Sequence, residues 1–439
     1  MADHLTRAAL RTGLMTAAVT LAVLAAEASA SSNLSADGRK VAFTSAASNL
    51  VAGDRNDAID VFVRDLDPGV TRRVSVSSAG AEGNADSFDP SFSANGRRVA
   101  FSSGASNLVA GDTNASTDVF VHSLKTGKTR RVSVRSNGRQ GRGASAAPSI
   151  STTGRFVAFQ SAAPNLIPGD TNGVLDVFVH DLRTQKTRRV SVRSNGRQGG
   201  ARSSSASISA NGRRVAFQSR ASLTRRARNG TDDVFVRNLN TNRTRLVSAK
   251  EGGAGAGGGR PSISANGRRV TFHSSGRGLA SGPHRSFDVF VRNLRTGNAR
   301  RVVPAGRRKV VWTSDPSISA NGRRVAFESL VRDLPGDTYR GENVFVHTLK
   351  TARMRWVSVG LGGVAGNCES RLPSIAPNGR RVGFQSYSSN LVPGDENDDW
   401  DVFVRNLRRG TTERVSAAHD GGDSNGPSGL DWVFDRGCL

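Results

Sequence analysis

The sequence is poor in residues that staple, span or stack. Its 439 residues include two cysteines, two tyrosines and four tryptophans. Two cysteines, Cys368 and Cys438, exclude a disulfide framework but suffice for one bridge in an oxidising compartment. No Cys/His spacing suits zinc. The one long apolar run, Leu14 to Ala26, has thirteen residues, whereas a helix needs about 20 to cross a bilayer. No membrane span is therefore expected. Arg7 and Arg11 precede that run and Ala28-Ser29-Ala30 follow it, the order of a secretory signal and its cleavage site. Residues 1–30 accordingly read as a signal peptide, and the mature chain as periplasmic or secreted. Helix start and stop signals are nearly absent.

Glycine and basic charge are abundant, with Gly 49 and a formal net charge of +26. Seven of the 62 basic residues are lysine, so arginine dominates. Such a charge ordinarily points to nucleic acid. An exported chain rarely meets nucleic acid, however, and the arginines are not interleaved with the aromatics on which bases stack. The expected partners are a protein or an anionic envelope polymer, with no nucleic acid. A GC-rich genome alone would also raise the arginine content.

The stretch Ser207 to Phe217, "SISANGRRVAF", recurs letter for letter at Ser317 to Phe327. Aligning the chain on the glycine of this turn gives Gly38, Gly96, Gly154, Gly212, Gly267, Gly322 and Gly379, at steps of 58, 58, 58, 55, 55 and 57. These are seven units. Each reads as four strands: a short "PSIS" (a), "RRVAFxS" (b), "DVFVRNL" (c) and "TRRVSV" (d). Asn-Gly between a and b predicts a type I′ hairpin turn. Strands b and c are apolar at successive positions, so both faces must be covered. Small four-stranded sheets covered on both faces are the blades of a propeller. The fold predicted is all-β: a monomeric seven-bladed β-propeller of four-stranded antiparallel blades over 31–417, with a C-terminal tail at 418–439. Strand a of unit one is placed near Asn33, and Pro304 on an outer edge strand.

The repeat "PSISANGRRVAFES" at Pro316 to Ser329 resembles that of TolB-like propellers, which are distantly similar to WD repeats. The resemblance covers essentially the whole mature chain. It implies a periplasmic or secreted propeller that binds other molecules, as TolB binds a peptidoglycan-associated lipoprotein, and the reading adopted from the residues is an exported, non-enzymatic binding propeller. TolB itself has six blades, where this chain has seven units.

Short a-to-b and c-to-d turns share one end of a blade, and long b-to-c and d-to-a loops share the other. Variable loops on a rigid scaffold usually carry binding, so the long-loop face is the expected binding face. The alternative is a propeller-type carbohydrate-active enzyme, a polysaccharide lyase or hydrolase. Carboxylates or histidines clustered at the channel would mark one, and the sequence shows none. Gly422-Asp423-Ser424-Asn425-Gly426 matches a nucleophile elbow, but it lacks the strand-to-helix turn that motif needs. His122, His180 and His347 occupy a strand-end position that is arginine in other units.

One pattern of oxygen donors stands out: Asp54-x-Asn56-x3-Asp60, Asp112-x-Asn114-x3-Asp118, Asp170-x-Asn172-x3-Asp176 and Asp395-x-Asn397-x3-Asp401. Calcium takes six to eight oxygens, which makes these loops candidate calcium sites. The alternative is that Asp and Asn merely fold the turn. Unit four has Ala227 and unit five Gly282 in place of the first aspartate, although both keep the last, Asp233 and Asp288. Unit six keeps Asp337 but has Tyr339 and Asn343. The leading Asp and Asn are expected to come and go together. Cys368 and Cys438 both follow a strand d, so a disulfide between them is expected to pin the tail.

Overall fold

The computed structural model describes residues 33–280, 287–302, 309–332, 339 and 341–430. The expected signal peptide, Gly282, Pro304, Asp337 and Cys438 lie outside these. Seven four-stranded antiparallel sheets make up the described chain, with a single short helical turn at Leu361–Gly363. The seven-bladed prediction holds.

Blade two shows the pattern. Strand a is Ser87–Phe92, b Arg98–Ser103, c Asp118–Ser123 and d Thr129–Arg131. Successive strand residues point to opposite faces, and in strands b and c both faces are buried. The reason is the neighbouring blade: Ala100, Val119 and Val121 of blade two pack with Val157, Phe159 and Phe178 of blade three. Phe101 in strand b and Phe120 in strand c are register partners whose rings stack at 5.8 Å, a pairing repeated as Phe217 on Phe235 at 5.9 Å.

The repeated eleven residues are a set of clasps. In Ser207 to Phe217, Ser207 Oγ accepts the Ile263 N–H of the next blade at 3.1 Å. Ser209 Oγ accepts the Arg214 N–H at 3.0 Å, closing the hairpin. Arg214 Nη1 donates to the Gly267 carbonyl of the next blade at 2.6 Å. Two of the three clasps thus join blades.

The hairpin turn is not type I′. Gly212 is left-handed at φ 69, but Asn211 is not among the residues with positive φ. The turn instead carries a Gly212 N–H to Ser209 O bond at 2.9 Å, while Asn211 Oδ1 accepts the Arg213 N–H at 3.0 Å. Asparagine serves through its side chain here.

Strand a is longer than "PSIS" and is bulged. In six blades one non-glycine residue is left-handed: Asp89, Ala147, Ser205, Arg260, Asp315 and Leu372. The cost of that conformation, about 1–3 kcal/mol each, is offset by blade-to-blade bonding. Ser205 N–H reaches Gln160 Oε1 at 3.1 Å, Arg260 N–H reaches Gln218 Oε1 at 3.0 Å, and Leu372 N–H reaches Glu328 Oε2 at 3.1 Å.

Blade one corrects the expected ends. Its innermost strand comes from both termini: Leu34 bridges Val41, and Ser428–Gly429 pairs with Ser45 and Thr44. The junction falls at the bulge position, where Leu430 N–H bonds Gln385 Oε1 at 3.1 Å. Residues 418–430 are therefore part of the ring, with Ala418, Ser424 and Leu430 buried.

Candidate functional site

Each aspartate loop surrounds an arginine. In blade one, Arg73 Nη1 lies 3.0 Å from Asp54, 2.8 Å from Asp60 and 2.9 Å from Glu82. Arg131 pairs with Asp112 at 3.0 Å and Asp118 at 3.3 Å. Arg189 pairs with Asp170 at 3.0 Å and Asp176 at 3.1 Å. Arg414 pairs with Asp395 at 3.1 Å, with Asp401 at 3.7 Å, and with Asp423. These four guanidinium side chains are 7–10 % exposed. The arginine is that of "RVS" in strand d, which faces the start of strand c across the ladder.

The arginine and the leading aspartate vary between blades, though not always together: blade five keeps Arg301 with Gly282 at the leading position, and blade six keeps Asp337 with Trp356 at the arginine's. Blade four, with Ala227, has Leu246 at the arginine's place, and Asp233 Oδ1 is held instead by Ser248 at 2.6 Å and the Gly257 N–H at 3.0 Å. Blade six, with Asn343, has Trp356, whose Nε1 donates to Asn343 Oδ1 at 3.1 Å. Asparagine behaves separately. Asn229 is kept in blade four without the leading aspartate, so the two do not come and go together. Asn56 Nδ2 bonds Asp60 at 2.9 Å and Asn172 Nδ2 bonds Asp176 at 3.1 Å. Asparagine folds the turn, while the leading aspartate pairs with the arginine in blades one, two, three and seven.

The last aspartate has its own structural task. Asp60 Oδ1 accepts the Ser75 hydroxyl, and Asp118 and Asp176 repeat this with Ser133 and Ser191. Burial pushes the carboxyls of Asp60, Asp118 and Asp176 above their ordinary range, with the serine and arginine bonds opposing. Asp395 is pushed up to about 7 by burial and then by Asp401 beside it. A fixed internal cation thus stands among the oxygens proposed for calcium. Among the described residues, no group of three or more His, Cys, Asp or Glu side chains is placed to hold a metal ion.

Other marked residues have structural partners. His122 Nδ1 and His180 Nδ1 meet Thr129 and Thr187 at 2.9 and 2.8 Å, as Arg64 meets Thr71 at 2.9 Å. Ser424 is buried, with Oγ 3.3 Å from Asp401 Oδ1. Cys368 is buried.

The repeat itself did not reveal a charged cluster near the inner edge of blades five to seven, toward the long-loop end. Strand b has Thr44, Ser102, Gln160, Gln218 and Gln385 at one position, where blades five and six have His273 and Glu328. Arg260 ion-pairs with Asp315, Ser314 Oγ bonds Asp315 at 2.8 Å, and His273 Nδ1 lies 3.2 Å from Ser314 Oγ. Arg371 lies between Glu342 and Glu369, and Tyr339 Oη bonds Glu369 at 3.2 Å. Burial lowers His273 to about 4. It also drives Glu328 well above the usual range, reinforced by neighbouring Asp315. Asp315 is itself held down at about 2, because Arg260 overrides the effect of burial. His273 and Arg260 open onto a recess of about 250 Å³, with Arg202, Asp232 and the exposed ring of Phe287 on its walls. The expectation that no carboxylates or histidines gather near the channel is thus corrected. The signal was present in the departures of blades five and six from the consensus.

The architecture is that of a seven-bladed β-propeller of four-stranded antiparallel sheets. No family model and no curated protein matches the sequence. Among solved structures, the β-propeller domain of the Trilobed protease from Pyrococcus furiosus is similar, at 8 % identity and TM-score 0.51, over 87 % of this chain and 96 % of that one. TolB from Acinetobacter baumannii is similar at 13 % identity and TM-score 0.43, over 84 % and 79 %. An oligogalacturonate lyase in complex with manganese matches at 11 % and 0.48, over 87 % and 86 %. At these identities the likeness is one of fold.

Proposed function

We propose that the chain is an exported, non-enzymatic propeller that binds a protein or anionic envelope polymer through its long-loop face, at the recess of Arg260, His273 and Phe287. The observation that carries this reading is the break in the repeat: at the strand-b position where the other blades have neutral residues, blades five and six have His273 and Glu328, beside an Arg260–Asp315 ion pair that joins the two blades. Residues that depart from a structural repeat are those the repeat does not need. Asp315 and Glu328 are buried, which favours support of the recess over contact with a substrate.

A second reading, a carbohydrate-active enzyme, draws on the same pair, because two neighbouring carboxyls pushed to opposite pKa values are a common acid–base arrangement. One experiment separates the two. The mature chain and an Arg260→Ala/Phe287→Ala variant are incubated with envelope extracts at low and high salt, and with polygalacturonate. Specific capture that the variant loses, without new reducing ends or unsaturated uronate, supports binding. Chain cleavage that Glu328→Gln abolishes supports the enzyme.

A further inference from the structure

The short-turn end of the ring carries a second, unrelated feature. Between blades four and five lies a groove of about 620 Å³, walled by Arg214, Arg243, Arg245, Arg268 and Arg295, with Val236 and Leu294 at its floor. None of its lining residues is acidic. Arg243, Arg245, Arg268 and Arg295 are exposed. Arg214 and Arg245 are anchored to the next blade through the Gly267 and Leu294 carbonyls, at 2.6 and 3.1 Å, so part of the groove is built rather than loose.

The feature is local, not a mere consequence of a basic chain. The corresponding groove between blades one and two measures about 370 Å³ and includes Asp65, which ion-pairs with Lys40. In blade three, Arg155 is bound by Asp181 at 2.6 Å. In blade four the position of Asp65 and Asp181 is Asn238, in blade five Asn293 and in blade six Thr348. The turn and strand-end segments 238–245, 264–269, 293–300, 319–324 and 348–355 contain no Asp or Glu. Basic charge without internal counter-ions therefore runs from the blade four–five groove across blade six, through Arg323 and Arg353, both exposed.

We infer that this arc is a binding surface for a linear anionic polysaccharide, one bearing a carboxylate, sulfate or phosphate on its repeating sugars. Planar guanidinium forks suit such oxyanions, and an arc of successive grooves suits a chain longer than one site. A single-stranded nucleic acid would need aromatic platforms for its bases, and this groove has none. The surface lies on the opposite end from the Arg260 recess and does not depend on it.

The test uses the mature chain with fluorescently labelled polygalacturonate, dextran sulfate, neutral dextran and single-stranded DNA, at several salt concentrations. The triple variant Arg243→Glu/Arg268→Glu/Arg295→Glu is compared with Arg72→Glu/Arg97→Glu/Lys125→Glu in the blade one–two groove. The two variants carry the same net charge. The first is expected to lose about tenfold or more in affinity for one of the two anionic polysaccharides and to show a shallower salt dependence. The second should lose far less. The carboxylate and sulfate arms tell which oxyanion is preferred. Equal losses in both variants would reduce the effect to net charge and overturn the inference, as would tighter binding of DNA or no binding of either polysaccharide. If the charge reversals impair folding, the Gln versions of the same residues give the same comparison. The fold loss caused by Arg243→Glu/Arg268→Glu/Arg295→Glu should be the same in the Arg260→Ala/Phe287→Ala background as in the wild type, so failure here and failure at the recess are separable.

Discussion

Arg73 Nη1 lies 2.8 Å from Asp60 Oδ2, inside a blade where both side chains are almost wholly buried. The pair joins strand d to the start of strand c and recurs in blades two, three, five and seven. Where the arginine is replaced, the strand-c residue is held otherwise, Asp233 by Ser248 and the Gly257 N–H and Asn343 by Trp356, whereas blade five keeps Arg301 with Gly282 at the leading position. The arginine and the leading aspartate pair where both occur, but they are not strictly coupled across the blades, since Asp233 stays buried in blade four on hydroxyl and N–H donors alone.

Replacing Arg189 by Leu should cost about 3–5 kcal/mol, because two buried carboxylates lose their counter-ion. Adding Asp170→Ala copies the solution of blade four, Ala227 with Leu246, and should restore most of that loss. Urea denaturation of the wild type, both single variants and the double variant checks this. Simple addition of the two single losses would contradict it.

Calcium would have to compete with the arginine for the same oxygens. With the guanidinium in place, calorimetry of chelator-treated protein should show no uptake by the loops of blades one, two, three and seven at millimolar calcium. Uptake that disappears in Asp170→Ala/Asn172→Ala would mean that calcium displaces the arginine.

Phe217 is fully buried and stacks on Phe235. Truncation to Ala should cost about 3–5 kcal/mol as a cavity between blades. A loss below about 1 kcal/mol would show that the site collapses around the change.

His273 titrates at about 4 in the fold against an ordinary 6.5, because burial disfavours its charged form. Between these values the unfolded chain binds more protons than the folded one, so this group makes stability rise with pH across that window and level off above it. Melting temperatures from pH 4 to 7 should therefore climb less steeply in His273→Gln than in the wild type. Parallel profiles would show that the imidazole is not desolvated.

A Cys368–Cys438 disulfide is predicted for protein recovered from an oxidising compartment. Peptide mapping without reduction should find the linked pair, and two free thiols would refute it. Loss of the bridge in Cys438→Ser should lower the melting temperature, since the segment that completes blade one would no longer be tied to blade seven.

Blade number, strand order and the buried faces of strands b and c were legible in the sequence, because they follow from local patterns repeated seven times. Val-x-Phe in strand b, Val-Phe-Val in strand c and the glycine turn hold in every unit, the middle residue of strand b being Ala in five units, Thr271 in unit five and Gly383 in unit seven. What each conserved residue does was not legible, since Ser207 bonds a residue 56 positions away and Arg73 meets carboxylates on another strand and loop. The aspartate loops read as cation sites in the sequence, and what was not legible there is that a cation of the chain itself, 13 residues after Asp60, stands among their oxygens. The closure of blade one, with Leu34 and Ser428 in one innermost strand, and the gathering of Arg260, His273, Asp315 and Glu328 depend on ring closure and blade packing. Only the tertiary structure decides those, because the residues involved come from separate blades or from opposite ends of the chain.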